Sequence, residues 1–265
     1  MEVECSIEKI TERTAIGITF IDGVSQSNAG AVAFNDFLIV LDPSPEDYTA
    51  EIFRQKIEKH FRLPTKYLFI SHYHGDHVRG AIAFKDVVKF GSQKLLPMMQ
   101  RTLETSWKDI REKIVFPNIL FNDRLTLSDE DLHIEFHWVG GHTECSAYAY
   151  FLNEKVLFAG DLVFAERFPW AGDPTCNPDL WIAAFEEFLK LDFKYLLPGH
   201  GPMVGREEIN KQLKQMVDLR KLIIDAVKDN QNVETIQPKT IYNSPYEYTI
   251  PRTIQHFYNF YKNRN

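Results

Sequence analysis

The run Ser71-His72-Tyr73-His74-Gly75-Asp76-His77 places three imidazoles and one carboxylate within six consecutive residues. Neutral imidazole and carboxylate oxygen together suit zinc, iron or manganese, because nitrogen donors favour borderline metals and oxygen tolerates a harder one. The run follows the apolar stretch Tyr67-Leu68-Phe69-Ile70, so it falls where a buried strand ends and the backbone opens into a loop. Alternation carries His72 and His74 the same way just past the strand, whereas Asp76 and His77 lie at the turn into the next helix and can point elsewhere. Two directions allow two metal ions. A lone loop histidine is ordinary, but three of only 9 histidines in 265 residues share this one run. Three more runs end alike: Gly140-Gly141-His142-Thr143, Phe158-Ala159-Gly160-Asp161 and Pro198-Gly199-His200-Gly201. Each delivers an imidazole or carboxylate at the end of an apolar segment, beside small residues that let the backbone turn.

Taken together, these residues resemble the metallo-β-lactamase superfamily, whose His-x-His-x-Asp-His signature is followed by lone His, Asp and His ligands. The resemblance runs from about Val3 to Pro202 and fills all seven ligand positions. It implies that His72, His74 and His142 hold one metal, that Asp76, His77 and His200 hold a second, and that Asp161 bridges them. It further implies catalytic roles for Asp76 and Asp161 and two divalent cofactors, zinc foremost, with iron or manganese as alternatives. Asp42, ending the strand Phe37-Leu38-Ile39-Val40-Leu41, matches a family carboxylate that orients a ligating histidine. The chain departs from the pattern twice. Asp42-Pro43-Ser44 lacks the glycine that usually follows by two residues, which implies a different local turn. Arg79 replaces another glycine and reads either as a grip for an anionic substrate or as a solvent-facing side chain.

The elements that must position these groups follow from the hydrophobic period. Val3 to Ile10, Thr14 to Phe20, Ala29 to Phe34 and Phe37 to Leu41 read as short strands, with Asn35-Asp36 as a hairpin signal. The loop Asp22 to Asn28 overhangs the metals in the family's folds, or is an ordinary surface turn. Ile52, Phe53, Ile57 and Phe61 mark a helix over Glu46 to Phe61, and Lys66 to Ser71 is the strand entering the metal loop. A helix is expected over Val78 to Phe84, capped by Asp76 if that carboxylate is not coordinating. Gly91 to Ile110 reads as helix interrupted by Pro97. Strands return at Ile114 to Phe116, Ile119 to Phe121 and Leu125 to Leu127. In the next run Leu132, Ile134, Phe136 and Trp138 share one face, so His133 and His137 face outward and are not ligands. A hairpin around Asn153-Glu154 delivers Asp161. The loop Leu162 to Asn177 borders the metals; Phe164, Phe168 and Trp170 either wall the substrate pocket or serve packing alone. Helices follow around Leu180 to Leu189 and Ile209 to about Lys228, separated by the strand Lys194 to Leu197. The tail from Ile241 to Tyr261, which includes Tyr246, is dense in aromatic residues. A helix after Pro251 would put Ile254, Phe257, Tyr258 and Tyr261 on one face, for core packing, closure over the site or self-association as a homodimer. Two β-rich halves each followed by helices, in a chain resembling this family, imply an α/β fold: a four-layer αββα sandwich of two mixed sheets flanked by helices.

At 265 residues the chain suits one domain, with a C-terminal helical and aromatic extension from about 206 to 265. With 44% hydrophobic residues, it has no apolar stretch near the roughly 20 residues of a membrane span, and its acidic start lacks a signal peptide's apolar core. A cytoplasmic protein without membrane association is expected. Three widely spaced cysteines, Cys5, Cys145 and Cys176, argue against a disulfide framework. Thirty basic against 37 acidic side chains give a net charge of −7, which disfavours nucleic acid and leaves a small molecule as the expected substrate.

A binuclear site makes water the nucleophile, so Cys145 need not be catalytic. The family's β-lactamases commonly have cysteine, or no bridging carboxylate, where this chain has Asp161, which argues against antibiotic hydrolysis. Glyoxalase II-like thioesterases share all seven ligands, but their glutathione-binding segment has no clear counterpart here. The expected reaction is hydrolysis of a small ester, thioester or lactone. The alternatives are sulfur dioxygenase-like chemistry at one iron and a phosphodiesterase or nuclease of the same superfamily.

Overall fold

A computed structural model describes residues 2–242 and 247–264. Its first half opens with an antiparallel meander, β1 (Val3–Lys9), β2 (Thr14–Ile21), β3 (Val24–Ser25), β4 (Ala29–Ala33) and β5 (Leu38–Leu41). Helix α1 (Asp47–Phe61) then crosses to β6 (Thr65–Phe69), β7 (Val88–Ser92) precedes helix α2 (Leu95–Leu103), and β8 (Ile119–Phe121) closes the edge. The sheet order is β1-β2-β4-β5-β6-β7-β8, with β3 on β2, and from β5 to β8 the pairings are parallel. The second half supplies β9 (Arg124–Asp129), β10 (Leu132–Trp138), β11 (Ala147–Phe151), β12 (Val156–Phe164) and β13 (Tyr195–His200), ordered β13-β12-β11-β10-β9. Only the β12–β13 pairing is parallel in that sheet. Helices α3 (Pro178–Phe188), α4 (Arg206–Lys228) and α5 (Thr249–Lys262) complete the described chain.

Three apolar layers hold these elements together. Between the sheets, Ile39, Leu41, Phe69 and Phe90 of the first meet Ile134, Phe136 and Phe158 of the second. Phe136 lies 4.9 Å from Phe69 and 4.6 Å from Phe90, ring centre to ring centre. Because successive strand residues face opposite sides, Val40, Leu68 and Ile70 turn the other way, onto α1 and α2. That is why β5 and β6 read as unbroken apolar runs: both faces are covered. Helices α3, α4 and α5 cover the outer face of the second sheet through Trp181, Phe185, Met216, Ile223 and Phe257. The result is the expected four-layer αββα sandwich of two mixed sheets flanked by helices.

Several elements differ from the sequence expectation. Val78 to Phe84 is not an α-helix: Gly75–His77 and Arg79–Phe84 are 3₁₀ turns broken at Val78, where φ is −127°, and no side chain caps the first. Pro97 does not interrupt α2 but sits in its first turn, where the missing N–H would have no partner anyway. Ile114 to Phe116 forms no strand; after the 3₁₀ turn Lys108–Lys113 these side chains pack with the α1–α2 layer instead of pairing. Strand β7 has no counterpart in the pattern reading. Strand β12 runs on to Phe164, so the loop expected from Leu162 begins later. In the tail, α5 buries Ile254, Phe257, Tyr258 and Tyr261 as the spacing predicts, while Tyr246 lies outside the described residues.

Candidate metal centre

Four strand ends meet at one edge of the sandwich. Strand β6 leads to His72 and His74, and the 3₁₀ turn after them carries Asp76 and His77. The loop after β10 brings in His142, β12 brings in Asp161 beyond a register shift, and His200 is the last residue of β13. Two glycines permit this convergence. Gly141 holds φ at +96°, a conformation that side-chain-bearing residues avoid, and this turns His142 inward. Gly199 lies so close to Asp161 that a Cβ there would stand 2.0 Å from Oδ1.

The donor atoms form two groups around one carboxylate. His72 Nε2 and His142 Nε2 each lie 3.0 Å from His74 Nδ1, and 3.7 and 3.5 Å from Asp161 Oδ2. On the other side, Asp161 Oδ1 lies 3.0 Å from His77 Nε2 and 3.4 Å from His200 Nε2. Asp76 Oδ2 is 3.2 Å from His200 Nε2 and 3.7 Å from His77 Nε2. His72, His74, His142 and Asp161 thus make one set able to hold a metal ion, and Asp76, His77 and His200 a second.

The surrounding hydrogen bonds fix which ring nitrogens can act as ligands. Ser71 Oγ donates to Asp42 Oδ2 at 2.6 Å, so it accepts from His72 Nδ1 at 3.0 Å. His77 Nδ1 donates to the same Asp42 oxygen at 2.7 Å, and His142 Nδ1 to the Trp170 carbonyl at 3.1 Å. His74 Nε2 donates to Asp173 Oδ2 at 2.8 Å. With those protons assigned outward, the inner nitrogens are bare lone pairs crowded to 3.0 Å, an arrangement that a cation resolves. Asp161 Oδ1 and His77 Nε2 are buried and have no hydrogen-bond partner, as ligand atoms would. The residues therefore fit divalent metal on their own chemistry.

Electrostatics separate the two donor sets: burial pushes His72 and His142 down, whereas against burial the carboxylates Asp161 and Asp76 raise His77 and His200. Burial, and then the neighbouring His74, push His142 down to about 3, and burial with His77 nearby lowers His72 well below its usual value, so both stay neutral donors. Burial alone would raise Asp161, but His77 and His200 hold it well below the carboxylate range. His200 moves the other way: against the pull of burial, Asp161 and Asp76 raise it to about 9.

Around this centre, Asp42 takes the position the sequence indicates, accepting from the Ser71 N–H and hydroxyl and from His77. The missing glycine after it changes little, because Ser44 itself adopts φ of +79° and is held by hydroxyl contacts to Thr49 and Thr19. Phe164, Phe168 and Trp170 line a cavity of about 380 Å³ that opens onto His74, Asp76, Asp161 and His200. Ser25 and Gln26, from the loop expected to overhang the metals, line it too; Ser27 donates to the Asp76 carbonyl at 2.6 Å and ties that loop down. Arg79 is not among the lining residues. Its guanidinium pairs with Glu46 at 2.6 Å, so the expected anion grip is corrected: Glu46 already takes that charge. His133 and His137 stay outside the cluster, bonded to Ser128 and Glu135.

The residue that pattern reading missed is Asp173. It is buried, accepts from the Tyr73 hydroxyl, from Thr175 N at 2.7 Å and from Thr175 Oγ1 at 2.6 Å, and fixes the ring of His74. Asp173→Ala is expected to weaken metal binding about 10- to 100-fold, the usual loss when a ligand's supporting partner goes. Competition with a chromophoric chelator measures it, and unchanged affinity would show that His74 keeps its orientation unaided.

The fold and this donor set define a family. The chain belongs to the metallo-beta-lactamase superfamily, whose model matches residues 22–200, and it carries a His/Asp cluster able to hold metal. A hydroxyacylglutathione hydrolase of Pelagibacter ubique (strain HTCC1062) is 27% identical over 208 residues, 76% of this chain and 77% of that protein. A beta-lactamase-like protein 2 homolog of Caenorhabditis elegans is 21% identical over 175 residues, which is 64% of this chain; the match spans 55% of the nematode protein's length. Among solved structures, a metallo-beta-lactamase from Pontibacter korlensis shares the fold at a TM-score of 0.68 and 20% identity, covering 81% of this chain and all of that one. No helix among the described residues is long and apolar enough to cross a membrane.

Proposed function

We propose that the chain hydrolyses a small ester, thioester or lactone with two divalent cations, zinc foremost. His72, His74 and His142 would hold one, Asp76, His77 and His200 the other, and Asp161 both. The observation that carries this reading is the split of Asp161, whose Oδ2 faces His72 and His142 while Oδ1 faces His77 and His200. Bound there, such cations would supply Lewis acidity and bring the pKa of water at the site down toward roughly 7.

The chain's own residues do the rest. His74, Asp76 and His200 form the half-open side of the centre, where the cavity gives a carbonyl group access. Phe164, Phe168 and Trp170 present apolar faces to the remainder of the substrate and displace water from it. No cysteine competes as nucleophile: Cys145 is fully buried, and burial pushes its thiol up to about 12. The likeness to a hydroxyacylglutathione hydrolase supports the thioester arm of the proposal.

Protein purified without added metal should contain two zinc ions per chain. It should lose turnover of p-nitrophenyl esters, lactones or acyl-glutathiones on chelation and regain it with zinc. A single iron per chain, with oxygen uptake in place of hydrolysis, would replace this reading with a sulfur-oxidising one; turnover of a bis-phosphodiester alone would make the enzyme a phosphodiesterase.

A further inference from the structure

We infer that Arg167 is an anion anchor in the wall of the metal cavity, so that the substrate carries a negatively charged group beyond an apolar spacer. The inference rests on the proposed hydrolase reading and narrows its substrate class. Among the described residues Arg167 is the only lysine or arginine that lines the cavity. It is half-buried, and its guanidinium has no ion-pair, hydrogen-bond or ring partner among those residues, unlike Arg79, which Glu46 occupies. Two carboxylates, Asp76 and Asp161, line the same cavity, yet neither pairs with it. Both face imidazole nitrogens instead, and with divalent ions bound their charge is taken up there.

A guanidinium on a cavity wall, rigidly forked and always charged, suits a carboxylate, sulfonate or phosphate group. The other wall residues on this stretch are aromatic: Trp170 lies 5.4 Å from His74 and Phe164 5.5 Å from His200, ring centre to ring centre, and Phe168 lines the same cavity. The ligand this describes has three parts in order: a hydrolysable acyl carbon at His74, Asp76 and His200, an apolar middle, and an anionic end at Arg167. Hydrolysis adds water across the acyl bond, so the acid product would carry two anionic groups, the new carboxylate and the one at Arg167. The alcohol or thiol is released from an ester or thioester and kept as a hydroxyl on the same molecule if the substrate is a lactone.

The test compares mono-p-nitrophenyl adipate with p-nitrophenyl hexanoate, which match in chain length and differ in the terminal charge. The wild-type protein loaded with zinc should prefer the adipate ester, and in Arg167→Gln the ratio of the two kcat/KM values should fall about 10- to 100-fold, with the change in KM. Arg167→Lys should restore part of the ratio while metal content stays the same. An unchanged ratio in Arg167→Gln overturns the inference. If wild-type protein turns over neither ester, the hydrolase reading falls, and the anchor is tested by binding alone. Quenching of tryptophan fluorescence by phenylmethanesulfonate, a poor ligand for divalent metal, is compared with that by neutral benzyl methyl sulfone. Tighter binding of the sulfonate that Arg167→Gln abolishes upholds the anchor, and equal affinities overturn it.

Discussion

Replacing Asp161 with alanine is expected to lower turnover by about a hundred- to a thousandfold, the scale of loss when a group stabilising transition-state charge is removed. Metal content should drop from two ions per chain to at most one. Both effects have one origin. Each of its two oxygens faces the inner nitrogens of one donor set, and His77 and His200 keep it ionised against the effect of burial. The fold should survive, because Asp161 belongs to none of the three apolar layers and its removal opens space only beside Gly199 and the histidines. Near-ultraviolet circular dichroism separates the outcomes. An unchanged spectrum with lost turnover supports the binuclear reading, whereas near-normal turnover removes it.

Asp42→Ala should destabilise the protein by about 3 to 5 kcal/mol, the range seen when one member of a buried charged network is deleted. Asp42 is fully buried and receives three donors: the Ser71 N–H at 2.7 Å, the Ser71 hydroxyl at 2.6 Å and His77 Nδ1 at 2.7 Å. Alanine leaves all three without partners where water does not reach. The damage reaches both donor sets, since Ser71 also orients His72. Urea unfolding of metal-free protein isolates this loss from that of metal affinity. A change below about 1 kcal/mol would mean that the three donors find other acceptors.

The sequence carried much of this because the donors are tied to local features. Four apolar runs end on a candidate ligand beside glycine or another small residue, and chain alternation separates His72 and His74 from Asp76 and His77 without knowledge of the fold. Where the reading failed, tertiary contacts decided the outcome. Strand β7 was hidden because Lys89 interrupts Val88-Lys89-Phe90; its side chain is buried all the same, with Nζ donating to the Lys85 and Val87 carbonyls. Ile114 to Phe116 looks like a strand by composition, but packing against the α1–α2 layer overrides that preference. Asp173 could not be found by pattern, because only the three-dimensional path of the loop brings it to His74, 99 positions earlier.

The wall of the cavity is braced from behind by the end of the chain. Thr253, buried on α5, accepts from Ala171 N at 3.0 Å and donates to the Pro169 carbonyl at 3.1 Å, and His256 Nε2 donates to the Cys176 carbonyl at 2.9 Å. Tyr248 and Thr249 complete the rim. The candidate ligands and most of the cavity wall lie within the family-matched span that ends at residue 200, while the helix that braces that wall lies beyond it. Edits confined to α5 could thus retune what the enzyme accepts while every ligand stays in place, which makes the C-terminal segment the natural handle for redesign.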